Sequence, residues 1–134
     1  MIEQTLSIIK PDAVERKLEN KIKFFFEEKN LKILNSKKVQ ISKEEAAEFY
    51  KVHQTKPFYQ DLCNYLSSGP IVVMILEGEG AISINRKIMG STDPIKAAEG
   101  TLRKIYGLSI DKNSVHGSDS LESAKTEIDF FFNK

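Results

Sequence analysis

The sequence predicts an α+β fold: a four-stranded antiparallel sheet with helices on one face, in the order βαββαβ, and a helical-hairpin arm after the second strand. Three observations predict it. Gln4-Thr5-Leu6-Ser7-Ile8-Ile9 alternates and ends in an apolar pair, and Ile71-Val72-Val73-Met74-Ile75-Leu76 is apolar throughout, so both read as buried strands. Between a second strand, residues 31–41, and Ile71 lie two helical segments with their own start and stop signals, which read as an arm standing on the sheet. After His116 the polar run Gly117-Ser118-Asp119-Ser120 starts a last helix, whose Leu121, Ala124, Ile128 and Phe131 or Phe132 share one stripe. With the arm set aside, this is the split unit of a ferredoxin-like sandwich, predicted as one domain over residues 1–134.

The elements follow in order. The first strand delivers Lys10 at its C-terminal end, and Pro11 stops it. Asp12 is expected to cap a short helical turn. From Asn20 a longer helix places Ile22, Phe25, Phe26 and Leu31 near helical spacing, and a less regular strand spans residues 31–41. Ser42-Lys43-Glu44-Glu45 is a capping box that predicts a helix to about His53. Lys56-Pro57 starts the second arm helix, residues 58–66, closed by Gly69-Pro70. Residues 80–89 form a helix ending at Gly90, and Ser91-Thr92-Asp93-Pro94 forces a turn. The chain from there to Asp111 has the length of a functional loop. Asp119 or Ser120 caps the final helix, with Glu122 as the capping-box partner if the cap is Asp119.

Composition narrows the function. The net charge of +1 argues against an extended nucleic-acid surface, which needs many uncompensated cations. The longest apolar run is too short to cross a bilayer and the N-terminus lacks a signal-peptide pattern, so a cytoplasmic protein is expected. With one cysteine, Cys63, and two histidines, there is neither an intrachain disulfide nor a cysteine-histidine zinc set. Cys63 among Leu62, Tyr65 and Leu66 reads as a small core residue.

Chemistry concentrates in Asn113-Ser114-Val115-His116-Gly117-Ser118-Asp119-Ser120. This run sets an imidazole at a strand end beside a helix start, where free N–H groups and the helix dipole favour phosphate or carboxylate. A single histidine is weak evidence by itself. The predicted topology strengthens it, because the strands carrying Lys10 and His116 become neighbours. Arg86, Thr92 and Arg103 could face the same site, although each alone reads as a solvated charge or a turn residue. There is no Gly-x-x-x-x-Gly-Lys loop, so a phosphate site must be built from side chains.

The eight-residue run resembles the active-site signature of nucleoside diphosphate kinases. Six further segments fall in that family's order and spacing: Ile9-Lys10-Pro11-Asp12, Lys56-Pro57-Phe58, Ser68-Gly69-Pro70, Arg86-Lys87-Ile88-Met89-Gly90, Gly100-Thr101-Leu102-Arg103 and Glu122-Ser123-Ala124. The resemblance implies transfer of the γ-phosphate of a nucleoside triphosphate, typically ATP, to a nucleoside diphosphate by a ping-pong route through phosphorylated His116. It further implies phosphate contacts from Lys10, Arg86, Thr92 and Arg103, with Lys10 and Asn113 also reaching ribose hydroxyls. Phe58 would stack on the base, with Leu62 and Ile110 lining the same slot. Tyr50 would support the site, while Ser118 and Glu127 orient the imidazole. His53, the other histidine, is read as structural. The implied cofactor is Mg²⁺ bridging nucleotide phosphates, with Asp119 a candidate contact through water.

Glu99 and Asp111 depart from the residues many members carry, proline and glycine, which bears on the loop and on the rim of the base slot. The chain stops shortly after its final helix, where many relatives extend a tail against neighbouring subunits. The resemblance therefore implies a homo-oligomer built from dimers, as a tetramer, a hexamer or a smaller assembly. Two competing readings are a nucleotide-binding regulatory or nucleic-acid-interacting protein with incidental transfer activity, and a purely structural module.

Overall fold

The computed structural model of the chain describes residues 2–51, 54–109 and 112–132. Its strands are β1 (Ile2–Ile9), β2 (Lys32–Val39), β3 (Ile71–Glu79) and β4 (Val115–Gly117). The helices are α1 (Pro11–Glu15), α2 (Glu19–Glu28), α3 (Lys43–Phe49), α4 (Tyr59–Leu66), α5 (Ala81–Met89), α6 (Leu102–Tyr106) and α7 (Leu121–Phe132). The strands form one sheet in the order β2-β3-β1-β4, and every neighbouring pair is antiparallel. This is the expected ferredoxin-like arrangement, and it sets the His116 strand directly beside the Lys10 strand.

The central strands are apolar on both sides because both faces of the sheet are covered. On one face Ile9, Val72, Met74 and Leu76 meet Ile22 and Phe26 of α2 and Ile88 and Met89 of α5. These are the two helices of the split unit, on one face as predicted. On the other face Leu6, Ile8, Ile71 and Val73 meet Ala46 of α3, Cys63 and Leu66 of α4, and Phe131 of α7. The arm and the C-terminal helix thus close the face that the split unit leaves open. Helical spacing sorts the three consecutive phenylalanines: Phe26 is fully buried, while Phe24 is 58% exposed.

Several boundaries differ from the sequence reading. β3 runs on to Glu79 because Glu77, Gly78 and Glu79 keep pairing with Gln4, Glu3 and Ile2. β2 is an edge strand, mostly exposed, with a register shift between Ile33 and Asn35. Such irregularity and the outward lysines blunt an edge against further pairing. In α3 both capping-box bonds form: Ser42 Oγ accepts from Glu45 N at 3.1 Å, and Ser42 N donates to Glu45 Oε1 at 2.9 Å. The helix nevertheless ends at Phe49, well before His53, which lies outside the described residues. Asp12 is not a cap: Lys10 holds that position and Asp12 sits inside α1, buried. At α7, Ser120 Oγ accepts from Ser123 N at 3.0 Å, so Ser120 is the capping side chain and Glu122 is one place too early to answer it.

Candidate active site

β4 pairs with β1 so that His116 stands opposite Ile8, and directly opposed residues share a face of the sheet. The ring therefore lies on the side of α7 and the end of α3. His116 Nε2 is 3.0 Å from Glu127 Oε1 on α7. The same carboxylate oxygen accepts from Ser118 Oγ at 2.8 Å. Ser118, wholly buried, is held on β1 by Leu6 N donating to its hydroxyl at 3.2 Å and by its own N–H donating to Leu6 O at 3.1 Å. The Phe49 ring meets the imidazole edge-on, centroids 5.4 Å apart. An ionised carboxylate only accepts, so a neutral imidazole in this pairing carries its proton on Nε2 and keeps a lone pair on Nδ1. The side chain is 21% exposed, enough to be reached and little enough to be held.

The cation on β1 is fixed from the other direction. Lys10 is buried, and its Nζ donates to Asn113 Oδ1 at 2.9 Å. Asn113 Nδ2 donates in turn to Thr92 O at 3.1 Å. Lys10, Asn113 and the turn at Thr92 are thereby joined, although the bond to Thr92 uses its backbone and leaves the hydroxyl out of the chain of contacts.

Arg103 on α6 ties two segments together. Nη1 donates to Gly90 O and Nη2 to Val115 O, each at 3.0 Å, while the buried Nε has no partner among the described residues. Burial first, and then the charge of Arg86, push the guanidinium down to about 10 against a small opposing effect of Tyr50. It is still a cation at neutral pH. Gly90 has φ +83, and a Cβ there would lie 2.5 Å from Thr101 Oγ1, so conformation and space both demand glycine. Gly117 lets β4 press on α5, since a Cβ would come within 2.3 Å of Asn85 Nδ2.

Beside these groups opens a cleft of about 710 Å³, lined among others by Arg86, Gly90, Thr92, Arg103, Asp119 and Leu121. Arg86 and Thr92 are exposed there. The Asp119 carboxyl is held below its ordinary range, chiefly by a hydrogen bond from the Ser123 side chain and less by Arg86 and His116, with partial burial opposing. Asp119 therefore sits within the field of both His116 and Arg86. Among the described residues no group of three or more His, Cys, Asp or Glu side chains could hold a metal ion. This donor set fits a divalent cation coordinated mainly by phosphate oxygens, with Asp119 and Glu3 the carboxylates on the cleft wall.

The remaining predicted residues are less closely gathered. Tyr50 is buried at the end of α3, its hydroxyl pushed up mainly by burial, and its electrostatic coupling to Arg103 and Glu127 places it beside the site. Phe58 precedes α4, is 42% exposed as a residue, and has Lys56 Nζ 5.6 Å from its ring centroid. Leu62 packs on the arm side of the core. Of the predicted site residues Arg86, Thr92, Arg103 and Asp119 line the 710 Å³ cleft, whereas His116, Lys10, Asn113, Tyr50, Phe58 and Leu62 do not, and Ile110 lies outside the described residues. The sequence reading missed Phe49 and a polar group around buried Asp12: exposed Arg16, half-buried Tyr65 and buried Ser114. The sole sequence signal for the latter was an acidic residue directly after Lys10-Pro11.

The nucleoside diphosphate kinase family model matches residues 3–134. A nucleoside diphosphate kinase of Persephonella marina is 56% identical over 133 residues, covering 99% of this chain and 95% of that protein. One from Campylobacter fetus is also 56% identical over 133 residues, covering 99% and 97%. The crystal structure of the Aquifex aeolicus nucleoside diphosphate kinase superposes with a TM-score of 0.96 at 43% identity, over 98% of this chain and 96% of that one. That of Encephalitozoon cuniculi gives 0.95 at 39% identity, over 98% and 90%. Whole-length agreement in sequence and in backbone, around a histidine paired with a carboxylate, leads to one conclusion: the chain belongs to the nucleoside diphosphate kinase family.

Proposed function

We propose that the chain moves the γ-phosphate of a nucleoside triphosphate to a nucleoside diphosphate through a phosphoryl group held on Nδ1 of His116. The observation that carries this reading is the 3.0 Å pairing of Nε2 with Glu127, which leaves Nδ1 as the nucleophilic nitrogen. In the first half-reaction the Nδ1 lone pair forms the N–P bond. The bond from the γ-phosphorus to the bridging oxygen breaks, and its electron pair leaves on the nucleoside diphosphate. In the second, a terminal β-phosphate oxygen of the acceptor takes the phosphoryl group and the imidazole is neutral again. One pocket serves donor and acceptor in turn, so the kinetics are ping-pong.

Arg103 and Arg86 supply fixed positive charge where the equatorial oxygens of the transferring group carry negative charge, the main demand of phosphoryl transfer. Lys10, Thr92 and Asn113 hold the remaining phosphates and the ribose. Phe58 stacks on the base, with Leu62 and Ile110 beside it, a mode of recognition that barely separates one base from another. Asp119 would hold a divalent cation, which we infer to be Mg²⁺, through water, and the cation would supply screening of the nucleotide's phosphate charge. The working molecule is taken to be a cytoplasmic homo-oligomer built from dimers, with residues 1–134 as one domain. No helix among the described residues is long and apolar enough to cross a membrane.

Incubation with ATP and Mg²⁺ followed by intact mass measurement should add one phosphoryl group, acid-labile and missing in His116→Ala. An unmodified wild-type chain, or a variant that is still labelled, would refute the assignment. No observation favours the regulatory or nucleic-acid reading, and the near-zero net charge weighs against it.

A further inference from the structure

Beneath the Lys10 and Asn113 contact lies a polar cluster that the proposed transfer chemistry does not use. Asp12 is buried on α1, yet its carboxylate accepts from Ser114 Oγ at 2.9 Å and from Arg16 Nη2 at 3.0 Å, both on Oδ2. Its other oxygen accepts from the Tyr65 hydroxyl, on α4 of the arm. That hydroxyl also accepts from Asp12 N at 2.8 Å, so arm and α1 are joined twice. Arg16 extends the cluster to α6, with Nη2 donating to Tyr106 O at 2.6 Å and lying 3.2 Å from Ser114 Oγ.

What the cluster grips is a strained residue. Ser114 is wholly buried and has φ +75, a left-handed conformation that a side chain with a Cβ adopts only when its surroundings enforce it. Ser114 also follows Asn113, the partner of Lys10 Nζ, and its carbonyl accepts from Lys10 N at 2.8 Å. The turn thus sets where Asn113 points, and β4 with His116 begins one residue further on.

We propose that Asp12 is a positioning residue for the nucleotide site: its carboxylate, shared among Ser114, Arg16 and Tyr65, holds the turn at Asn113 and Ser114 in the conformation that presents Asn113 to Lys10 and Thr92. The same carboxylate ties that turn to the arm, so the phosphate end of the site and the arm segment that carries Phe58 keep a fixed relation. This inference rests on the nucleotide site described above. It adds a group that touches neither phosphate nor base.

The test separates positioning from simple stabilisation. Ser114→Gly severs the bond to Asp12 but suits a positive φ, so a merely structural role predicts an unchanged or higher Tm and unchanged binding. The positioning role predicts that Mg²⁺-ADP binds about tenfold more weakly by calorimetry, as the loss of a hydrogen bond to a charged group implies. Asp12→Ala should weaken binding at least as much. In a cycle the double variant should be no worse than Asp12→Ala alone, because both substitutions break the same link. Wild-type affinity in a folded Ser114→Gly variant, or strictly additive losses, would overturn the proposal. Phosphoryl uptake from ATP is followed on the same samples. A wild type that binds ADP but takes up no phosphoryl group would refute transfer through His116, while weaker ADP binding by the variants would still support positioning. A wild type that does not bind ADP would overturn both.

Discussion

The carboxylate of Glu127 has one acceptor task towards the imidazole, and its amide counterpart would have two faces. In Glu127→Gln the side chain can offer either its oxygen or its NH₂ to Nε2, so the tautomer with a free Nδ1 is no longer enforced. The expected result is a fall in kcat of about a hundredfold with KM nearly unchanged, since Glu127 lies behind the ring and away from the nucleotide. Single-turnover phosphoryl uptake by the histidine checks it, and a wild-type rate would mean that the tautomer is set elsewhere. Arg103 carries a second residue-scale prediction. Its guanidinium sits at about 10 in the folded chain, below its ordinary value, because it is buried beside Arg86. Below that pH the cation is present; above it, the proposed phosphate partner is lost. ADP affinity should therefore fall as pH climbs from about 8 to 11, and fall less in Arg103→Ala. Stability moves the other way, because above 10 the unfolded chain holds this proton more tightly than the native one, so the group's contribution to folding rises. Of this site the sequence showed the residues but not their conformations. His116, Asn113 and Ser118 stand in one continuous run, whereas Glu127 is reached through resemblance alone. Ser114 carries nothing in its identity that announces a buried left-handed turn.

Among the elements, β4 is the shortest strand and the one whose placement matters most, and it is wedged between β1 and α5. Its contact with α5 depends on Gly117, where a Cβ would meet Asn85 Nδ2 at 2.3 Å and Met89 Cε at 2.7 Å. Gly117→Ala must push α5 outward or twist β4. Overpacking of this kind costs about 1–3 kcal/mol, which for a chain of this length lowers Tm by roughly 3–10 °C. Because the displaced helix bears Arg86, kcat/KM should fall as well, and a variant with native Tm and activity would show that the helix yields freely. The capping box of α3 makes a smaller, local prediction. Ser42→Ala frees Glu45 N at an exposed helix start and should cost about 1 kcal/mol, read as a Tm shift of a few degrees without a change in KM. The capping box marks this helix start because it is a local signal, and the predicted helix overruns the end because no glycine or proline marks residue 50. β3 was read three residues short for the opposite reason. Its last residues, Glu77, Gly78 and Glu79, are held by pairing with β1 and have no apolar pattern to display. β2 was irregular in sequence because it is an edge, with solvent along most of its length.

At the scale of the whole molecule, the sheet separates two cores, and the site gathers at one end where both contribute. The α5 and α6 side supplies Arg86 and Arg103, while the α3 and α7 side supplies Phe49 and Glu127 against His116. A nucleotide that spans these contributions binds the native chain and not the unfolded one, so it must stabilise the whole fold. At a free Mg²⁺-ADP concentration of about a hundred times Kd, the gain is about 2.7 kcal/mol. With the entropy of unfolding expected for a chain of this length, that is a rise in Tm of about 10 °C. His116→Ala removes the proposed nucleophile but leaves Lys10, Arg86, Arg103 and Asn113 in place, so it should keep most of the rise while losing all transfer. Lys10→Ala strips the Asn113 bond and a proposed phosphate partner together, so it should lose most of the rise at the same ADP concentration. Thermal unfolding of the three proteins with and without Mg²⁺-ADP separates binding from chemistry in one experiment. Equal loss of the shift in both variants would place the imidazole among the groups that bind nucleotide in the ground state, and would remove the division of labour on which the transfer mechanism stands.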